Sequence, residues 1–418
     1  DFVDATGDGD LSAMAGASFQ YGRKSDGQTH AYSQASGRVY VNDNTSEPRL
    51  TMANFDAGWV DSTNIEDLTR ARLTAISQYH DMSLTVNPRL TSIAPSIGIR
   101  QGRQILTDVV VTMDDYIRGK RYDDVIGWAG AHHENHAVDY ELESDESVFW
   151  IWGCQSWLAP TFSEIPYRML LPKHFHNIWI ACRAAGVDID SHHSFRMQRD
   201  MQRLGEAAGL AASIAVKNDC TSRQVPYSEL ADTLMKSGAL DSDQINHFPD
   251  FGGLSRLRYT EDPPERHIEK AIQAVREGTG GPLLWHLYKS QLPIDAELAA
   301  ISESKHTDGS WQAALVLAIR NNPQAESRLL KAIRKREDCW NKKAPHSAFA
   351  ITRWMTAVAM LRCCGTSACV PLLTQLANDP DLTLQPKLTI AATAERLVSR
   401  LGKEIVMPLA LALNSYHP

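Results

Sequence analysis

The sequence has no long apolar run and no excess of positive charge, and each absence excludes a class of protein. No stretch approaches the roughly 20 consecutive apolar residues that a membrane-spanning helix needs. The 418 residues carry a formal net charge of -8 at pH 7, whereas a dedicated nucleic-acid-binding protein usually presents a basic patch. We therefore expect neither a membrane span nor a nucleic-acid partner.

Cysteine pairs at metal-binding or redox spacing are also missing. The seven cysteines are an odd set without a CxxC pair, so they suggest neither a disulfide framework nor a zinc ribbon. We expect buried or free thiols instead, because cysteine is among the most buried residue types. These cysteines are Cys154, Cys182, Cys220, Cys339, Cys363, Cys364 and Cys369.

What is present is an ordinary globular composition over a long chain. Apolar residues make up 43% of the sequence and charged residues 22%, which is typical of soluble globular proteins. A chain of this length can form two or three domains, each with its own core.

The first residues, "DFVDATGDGDLSAMAG", predict a strand, a glycine-rich turn and a helix. Phe2 and Val3 favour a strand, and Leu11 and Met14 recur at helical spacing behind an acidic cap. Since only Asp1 stands before this strand, we expect the fold to be completed by a segment upstream of it.

Further elements follow from periodicity and length. "SGRVYVND" and "NIWIAC" predict strands, and helices are predicted in "DSTNIEDLTRARLTAISQYH", "SFRMQRDMQRLGEAAGLAASIAVKN" and "VPYSELADTLMKSGAL". Ser194 is a candidate cap for the second of these helices. Gly205 and Gly209, four residues apart, predict a bare helix face that another backbone approaches closely.

The C-terminal part reads as helices joined by short turns, with weak internal repetition. Gly365 and Gly402 match at a spacing of 37 residues, as do two prolines and two leucines (Pro371 and Pro408, Leu372 and Leu409). Units of this kind bury their apolar faces only by stacking on neighbours. The pattern resembles HEAT-type repeats, and an ordinary helical bundle is the alternative.

Four stretches in the front half carry a more specific signal. They are "VDATGDGDLSAMAG", "PSIGIRQGRQI", "IPYRMLLPKHFHNIWIACR" and "SFRMQRDMQRLGEAAGLAASIA". In this order they resemble the FAD-dependent oxidoreductases with a glutathione-reductase-like nucleotide fold. The first resembles that family's DATGD segment, and the second its arginine-bearing segment, which usually has Glu in place of Gln101. The last two resemble "IPYRCLLPKGIENLLVAGR" and "SIRVQPTCMALGQAAGTAAALA". The resemblance covers about residues 1 to 215.

The resemblance implies an α/β fold class with an added helical part. It consists of a partial FAD/NAD(P)-binding fold with an inserted mixed α+β substrate domain, plus an all-α helical-repeat C-terminal domain. The rear half of the FAD-binding domain would be residues 1–25 and 160–220, and the substrate insert residues 26–159. Residues 221–265 would connect these to a HEAT-like domain at 266–418.

One part of the family's fold is absent from the sequence. The GxGxxG turn that lets backbone N–H groups reach the pyrophosphate occurs nowhere in this chain. We therefore expect the chain to bind FAD poorly alone, as a fragment or processed product, or with a partner chain that supplies the N-terminal half.

The resemblance also indicates which residues would contact FAD. Ala5, Thr6, Gly7 and Asp8 follow the first strand, at the carboxyl end where ligands of α/β sheets lie; a plain capped turn is the alternative. Arg183 matches the arginine of the family's AGR, but Cys182 replaces its glycine and weakens that match. The positive end of the long helix would hold the flavin or a phosphate through Arg196, Met197 and Gln198; a solvated arginine is the alternative.

Candidate residues for the chemistry are an arginine and several histidines. Arg100, with Arg103 nearby, could hold an anionic substrate or stabilise charge on the reduced flavin, a surface ion pair being the alternative. His132 and His133 in "GAHHENHAVD", and His192 with His193, are candidate proton carriers. Ordinary polar or packed histidines are the alternative for each pair.

Two other interpretations of the front half are weaker. His132 and His136 would share a helix face, as in a metal-dependent hydrolase, but the HExxH order is lacking, so we expect no metal site. Trp150, Trp152 and Trp157 could wall a carbohydrate- or aromatic-binding pocket, although core packing is the stronger expectation.

The sequence therefore predicts an FAD-dependent oxidoreductase that removes hydride from a small organic substrate to the flavin, with Arg100 as anchor and a histidine as base. The alternative is a non-catalytic helical-repeat scaffold with a vestigial flavin fold. The helical-repeat region favours that alternative, as do Cys182 and Gln101, which depart from the family pattern.

Overall fold

The computed structural model describes residues 1–29, 33–41, 44–56, 59–73, 89–95, 98–131, 133, 140–156, 161–241, 264–338 and 351–414. Within it the chain forms two compact units. The first consists of Asp1–Val138 and Pro160–Arg258, and the second of Asp139–Ala159 and Tyr259–Pro418. The segment Asp139–Ala159 packs with the second unit, although it lies within the expected insert at residues 26–159.

The first unit contains nine short strands in four small sheets. The order is β1–β9, β2–β6, β4–β3–β5 and β7–β8, and only β1–β9 is parallel. The strands are β1 (Phe2–Asp4), β2 (Phe19–Tyr21), β3 (Ser33–Val41), β4 (Pro48–Asp56), β5 (Arg89–Ile93), β6 (Arg103–Ile105), β7 (Val125–Ala131), β8 (Thr161–Pro166) and β9 (Ile178–Ile180).

The parallel pair β1–β9 lies at the centre of the predicted family fold. Phe2 is in register with Ile178, Val3 with Trp179 and Asp4 with Ile180. Trp179 is fully buried, and its indole N–H donates to the hydroxyl of Tyr167 at 2.7 Å. Because the two strands run in the same direction, the turns that follow them leave from the same end of the sheet.

Helices of the first unit are Asp10–Met14, residues 65–73, Met113–Arg118, Gln198–Asn218 and Tyr227–Ser237. Gln198–Asn218, the long helix, contacts β1, β9 and β7. Its buried face is made largely of small apolar side chains, with Leu204, Ala208 and Ala211 among them. The predicted helix at "DSTNIEDLTRARLTAISQYH" is helical over its described residues 65–73.

The long helix differs from the sequence expectation at two points. It begins at Gln198 with Met197 as its N-cap residue, so Ser194 lies in a preceding 3-10 turn and is not the cap. A Cβ built on Gly205 or Gly209 meets no atom within 4 Å. The expected close approach of another backbone is therefore absent among the described residues.

The second unit is helical in its described residues, as expected for the C-terminal part of the chain. Its helices are Asp145–Val148, Pro264–Arg276, Leu284–Lys289, Asp295–Ser302, Thr307–Ile319, Glu326–Arg334, Arg353–Cys364, Val370–Ala377, Leu384–Leu401 and Lys403–Asn414, with a π-helix at Phe149–Gly153. Arg353–Cys364 packs on Leu384–Leu401, and Val370–Ala377 packs on Lys403–Asn414. Alternate helices contact each other in this way in stacked repeats, and the HEAT assignment stays a prediction.

The segment before and within the π-helix belongs to the core of the second unit. Phe149, Trp150 and Trp152 are all buried. Trp150 meets Trp285 edge to face, with ring centroids 5.7 Å apart. Trp150 and Trp152 therefore pack in a core and do not wall a ligand pocket, which agrees with the stronger expectation for them. Trp157 lies outside the described residues.

Arg362 holds the same segment against the helix Arg353–Cys364. Its guanidinium is buried and donates to the carbonyl oxygens of Glu141 at 2.7 Å and Glu143 at 3.1 Å. It also forms an ion pair with Asp145 at 2.8 Å. A charged group from the C-terminal helices thus satisfies backbone oxygens in the segment 139–159.

Among the described residues, no helix is long and apolar enough to cross a membrane.

Candidate functional site

The turns after β1 and β9 meet at one end of their sheet. Ala181, the first residue after β9, donates its backbone N–H to the carbonyl oxygen of Asp4 at 2.8 Å. Two residues further on, Arg183 forms an ion pair with Asp8, whose Oδ1 lies 2.8 Å from Nη2. The structure thus brings together Ala5, Thr6, Gly7, Asp8 and Arg183, which are distant in sequence.

The turn after β1 is built around the buried carboxylate of Asp4. One carboxylate oxygen accepts from the hydroxyl of Thr6 at 2.7 Å, and the other from the backbone N–H and hydroxyl of Ser12 at 2.7 and 2.6 Å. Burial raises the pKa of Asp4, but these hydrogen bonds outweigh it and the pKa lies below its ordinary value. Asp4 therefore remains ionised and fixes the turn.

Gly7, like Gly9 in the same turn, has a backbone conformation that favours glycine. Its φ is +91°, a region that residues with a side chain rarely adopt. A Cβ at this position would lie 3.4 Å from the guanidinium of Arg183. The glycine therefore lets the Arg183 side chain lie directly over the turn.

Cys182 fills the space between the two turns. The backbone N–H groups of Ala184, Gly7 and Gly9 face its sulfur. Burial raises the pKa of the Cys182 thiol, and the N–H groups oppose that shift only in part. The thiol is therefore protonated at neutral pH, and it takes up backbone donors that could otherwise face an anion.

The segment with Arg100 and Arg103 lies beside the turn after β1. Arg103 donates to the carbonyl oxygen of Asp8 at 3.4 Å and pairs with the carboxylate of Asp10 at 2.6 Å. Arg100, three residues earlier, is half-buried, and Gln101 beside it is buried. Arg103 is thus engaged in an ion pair, while the role of Arg100 stays a prediction.

Three histidines and one tyrosine form a buried cluster in the same unit. The rings of His133 and His193 lie 4.6 Å apart, and those of His193 and His192 lie 5.7 Å apart. The hydroxyl of Tyr116 lies 3.1 Å from Nδ1 of His133. His133, His192 and His193 are all buried. Two of the histidines predicted as proton carriers, His133 and His192, are thereby linked through His193.

His192 connects this cluster to the arginines of the predicted cofactor site. Burial lowers its pKa well below the ordinary value, and the charges of Arg196 and Arg183 lower it further. The imidazole is therefore neutral at pH 7. Two guanidinium groups, one from the turn after β9 and one from the start of the long helix, thus lie near His192.

Asp188 holds the cluster in place. Its carboxylate accepts from the backbone N–H of Ser191 at 2.7 Å and from that of Met113 at 3.3 Å. Burial and the charge of Asp190 raise the pKa of Asp188 to about 7. Asp188 therefore joins the turn that carries His192 and His193 to the helix that carries Tyr116.

Tyr116 and Asp188 are absent from the sequence-based site. The sequence does contain a signal for the helix that carries Tyr116. In "TMDDY", Thr112 and Asp115 form a capping box at the start of Met113–Arg118. That box places a helix where the apolar residues before it suggest a strand. The contact between Tyr116 and His133 spans two elements, and no spacing in the sequence encodes it.

The start of the long helix has no side-chain hydrogen bond from its N-cap residue, Met197, and its role in holding the flavin or a phosphate stays a prediction. Arg196 precedes Met197, and Gln198 is the first helical residue. The first N–H groups of this helix therefore lack a side-chain cap from Met197, as an anion site requires.

Asp200, in the first turn of the long helix, should make the stability of the first unit depend on pH. Its carboxylate is buried, 3.5 Å from Nε of Arg199 and 3.9 Å from Nη1 of Arg203. Burial raises its pKa from 3.8 to about 6 although both arginines act the other way. Since the folded pKa exceeds the unfolded one, its contribution to stability is complete below pH 4 and is lost as the pH rises to 6.

Asp200→Asn should therefore raise the free energy of unfolding of the first unit by about 2 kcal/mol at pH 8 and flatten its dependence on pH between about 4 and 6. Urea unfolding followed by circular dichroism at several pH values measures both effects. Asp219→Asn, at the other end of the helix, is the control and should leave the profile unchanged. A lower stability of Asp200→Asn at pH 8 would show that the ion pairs outweigh burial.

Several predicted residues lie outside the described part of the chain. They include His132, His136 and Trp157. Within the described residues, no group of three or more His, Cys, Asp or Glu side chains could hold a metal ion.

Comparison with known proteins gives one match. A family model described as FAD dependent oxidoreductase matches residues 1–66 and 30–234, which is more than half of the 418 residues. Neither the curated proteins nor the solved structures include a match to the chain.

Proposed function

Since the chain belongs to the FAD-dependent oxidoreductase family, we propose that its first unit holds FAD at the common end of β1 and β9 and removes a hydride from a small organic substrate. The family membership establishes FAD as the cofactor and oxidoreduction as the general activity. The observation that carries the proposal further is the ion pair between Asp8 and Arg183, which joins the two turns.

The residues present at this end fit a dinucleotide. Gly7 has the left-handed backbone that can turn N–H groups towards a ligand, and its missing Cβ leaves room for the guanidinium of Arg183 over the turn. The long helix begins without a side-chain cap, so its N–H groups suit a phosphate or the polar edge of a flavin. Arg183 and Arg196 would hold the negative charge of the pyrophosphate or of the reduced ring.

When bound, FAD accepts the hydride that leaves the substrate. The histidine cluster would handle the accompanying proton. We assign His133 as the base because the hydroxyl of Tyr116, 3.1 Å from its Nδ1, orients the imidazole. His192 is less suited to this role, since its lowered pKa makes it a weak base. Arg100 would hold an anionic group of the substrate.

The nucleotide half of the site would come from a segment outside this chain. In the described residues β1 pairs with β9 alone, and Phe2 and Val3 are 53% and 40% exposed. The face of the long helix with Gly205 and Gly209 is open as well. An open strand edge beside an open helix face suits an added strand and helix that carry a glycine turn.

Titration with FAD tests the proposal. Quenching of flavin fluorescence should report weak binding to the chain alone and tighter binding when a separately expressed half with a GxGxxG turn is added. Arg183→Met should weaken binding at least tenfold, because it removes a charge-assisted contact worth about 1.5–3 kcal/mol. Lys217→Met, exposed at the far end of the long helix, is the matched control. Equal binding by both variants would contradict the assigned position.

Cys182→Gly should tighten FAD binding about tenfold. The change restores the glycine of the family motif and frees the backbone N–H groups that face the sulfur. The binding free energy of FAD should therefore improve by about the contribution of one hydrogen bond. The same fluorescence titration measures it, with Cys220→Gly as the control on a half-buried thiol. An unchanged or weaker affinity would mean that the donors do not face the cofactor.

A second function is favoured by the position of Cys182. If its sulfur keeps the backbone donors from FAD, the chain would be a binding protein in which the flavin fold is vestigial and the helical unit contacts a partner. The titration separates the two functions. A folded protein that binds no FAD, with or without an added nucleotide half and also as Cys182→Gly, would support the scaffold.

A further inference from the structure

A wide, open surface cavity of about 680 Å³ lies at the opposite end of the β1–β9 sheet from the candidate flavin site. It is lined by Lys173, His174, His176, Arg223 and Asp108. The first three belong to the loop that leads into β9, so they lie before that strand, whereas Arg183 lies after it. We propose that this cavity binds the phosphate group of a small molecule, independently of FAD.

The loop is built around Arg223. The guanidinium donates to the carbonyl oxygens of Pro172, at 2.7 Å, and Phe175. It also forms a two-point ion pair with Asp108, with Nη2 2.8 Å from Oδ1 and Nε 2.7 Å from Oδ2. Arg223 therefore fixes the path of the loop, and its charge is balanced by Asp108.

Backbone hydrogen bonds hold both flanks of the loop. Lys173 donates its N–H to the carbonyl oxygen of Leu106 at 3.0 Å. The carbonyl oxygen of His176 accepts from the N–H of Ser222 at 2.8 Å, and Phe2 donates to Asn177 at 2.8 Å. The side chains that line the cavity are thus presented by an ordered backbone, which lowers the entropic cost of binding a ligand.

His174 occupies a backbone conformation that disfavours a side chain. Its φ is +69°, in the left-handed region that suits glycine. The matching stretch of the family, "LPKGIEN", has glycine here and glutamate at the position of His176, whereas this chain reads "LPKHFHN". Both differences place an imidazole in the cavity, and one of them removes a carboxylate. Strain that persists in a folded chain often marks a functional residue.

The balance of groups in the cavity selects an anion. With Arg223 and Asp108 paired, the ammonium of Lys173 and the ring N–H groups of two histidines remain to meet a ligand. This cluster stands in a chain whose formal net charge is -8. An ammonium and several N–H donors, on exposed side chains around one open cavity, suit an oxyanion with more than one charge, such as phosphate.

Calorimetric titration at fixed ionic strength tests the proposal with three probes: inorganic phosphate, phenyl phosphate and acetate. Binding of phenyl phosphate more tightly than inorganic phosphate indicates a phosphorylated small molecule, and the reverse order indicates free phosphate. Acetate should bind at least tenfold more weakly than either. Comparable binding of acetate, or no binding of the phosphates, would overturn the proposal.

Variants of the loop provide a second readout. His174→Gly should weaken phosphate binding at least fivefold and raise the melting temperature in the absence of phosphate, because the left-handed strain is relieved. His176→Glu should weaken binding at least tenfold. Lys24→Met, on another exposed loop of the same unit, is the control and should bind as the parent does. Unchanged binding by His174→Gly and His176→Glu would place the ligand elsewhere and refute the assignment.

Discussion

Replacing Arg362 by methionine lowers the free energy of unfolding of the second unit by about 2–4 kcal/mol, because two buried carbonyl oxygens lose their charged donor. The guanidinium is buried and donates to the carbonyl oxygens of Glu141 and Glu143, and it pairs with Asp145. Methionine retains most of the side-chain volume. The loss therefore comes mainly from the two carbonyl oxygens left without their donor, because the Asp145 side chain is 40% exposed and water can solvate its carboxylate.

Urea unfolding followed by far-ultraviolet circular dichroism measures this effect. Arg396→Met, an exposed arginine on the helix Leu384–Leu401, is the matched control and should change stability by less than about 0.5 kcal/mol. A similar small change for Arg362→Met would mean that water replaces the guanidinium at the two carbonyl oxygens.

Trp150→Ala should destabilise the same unit by about 3–5 kcal/mol. The indole is fully buried and meets Trp285 edge to face, so its removal costs both transfer free energy and a cavity. Trp150→Phe retains an aromatic ring and should cost less than half as much.

The same unfolding curves give the comparison, with Trp354→Ala as the control. Trp354 is half-buried and lies under the guanidinium of Arg336, 4.3 Å from the ring centroid. Its removal opens a space that water can enter, so the loss should be smaller than for Trp150. Equal losses at the two positions would show that Trp150 is not part of a dry core.

The sequence is most informative about elements that a local pattern of residues determines. The strands at "SGRVYV" and "NIWI", the helix at "VPYSELADTLMKS" and the helical C-terminal part are all found. The family resemblance is confirmed by the match over residues 1–66 and 30–234. These features depend on periodicity, capping and short motifs, which neighbouring residues determine.

Features that depend on distant contacts were not accessible in the same way. The residues around Trp150 do not indicate whether it packs in a substrate domain or in the helical unit. Its contact with Trp285 shows that it packs in the helical unit, and Trp285 lies more than a hundred residues away in the sequence. Tyr116 and His133 likewise meet through the arrangement of two elements. The repeat assignment, the absent nucleotide half and the roles of the site residues remain predictions.

The path of the chain has a consequence for how the two units can be separated. The first unit is interrupted by Asp139–Ala159, in which Trp150 and Trp152 are buried in a unit whose other helices are encoded more than a hundred residues later. A gene shortened after residue 258 would still encode Phe149, Trp150 and Trp152 but would lose the helices that shield them from water. Such a shortened product would expose three large aromatic side chains and be prone to aggregate.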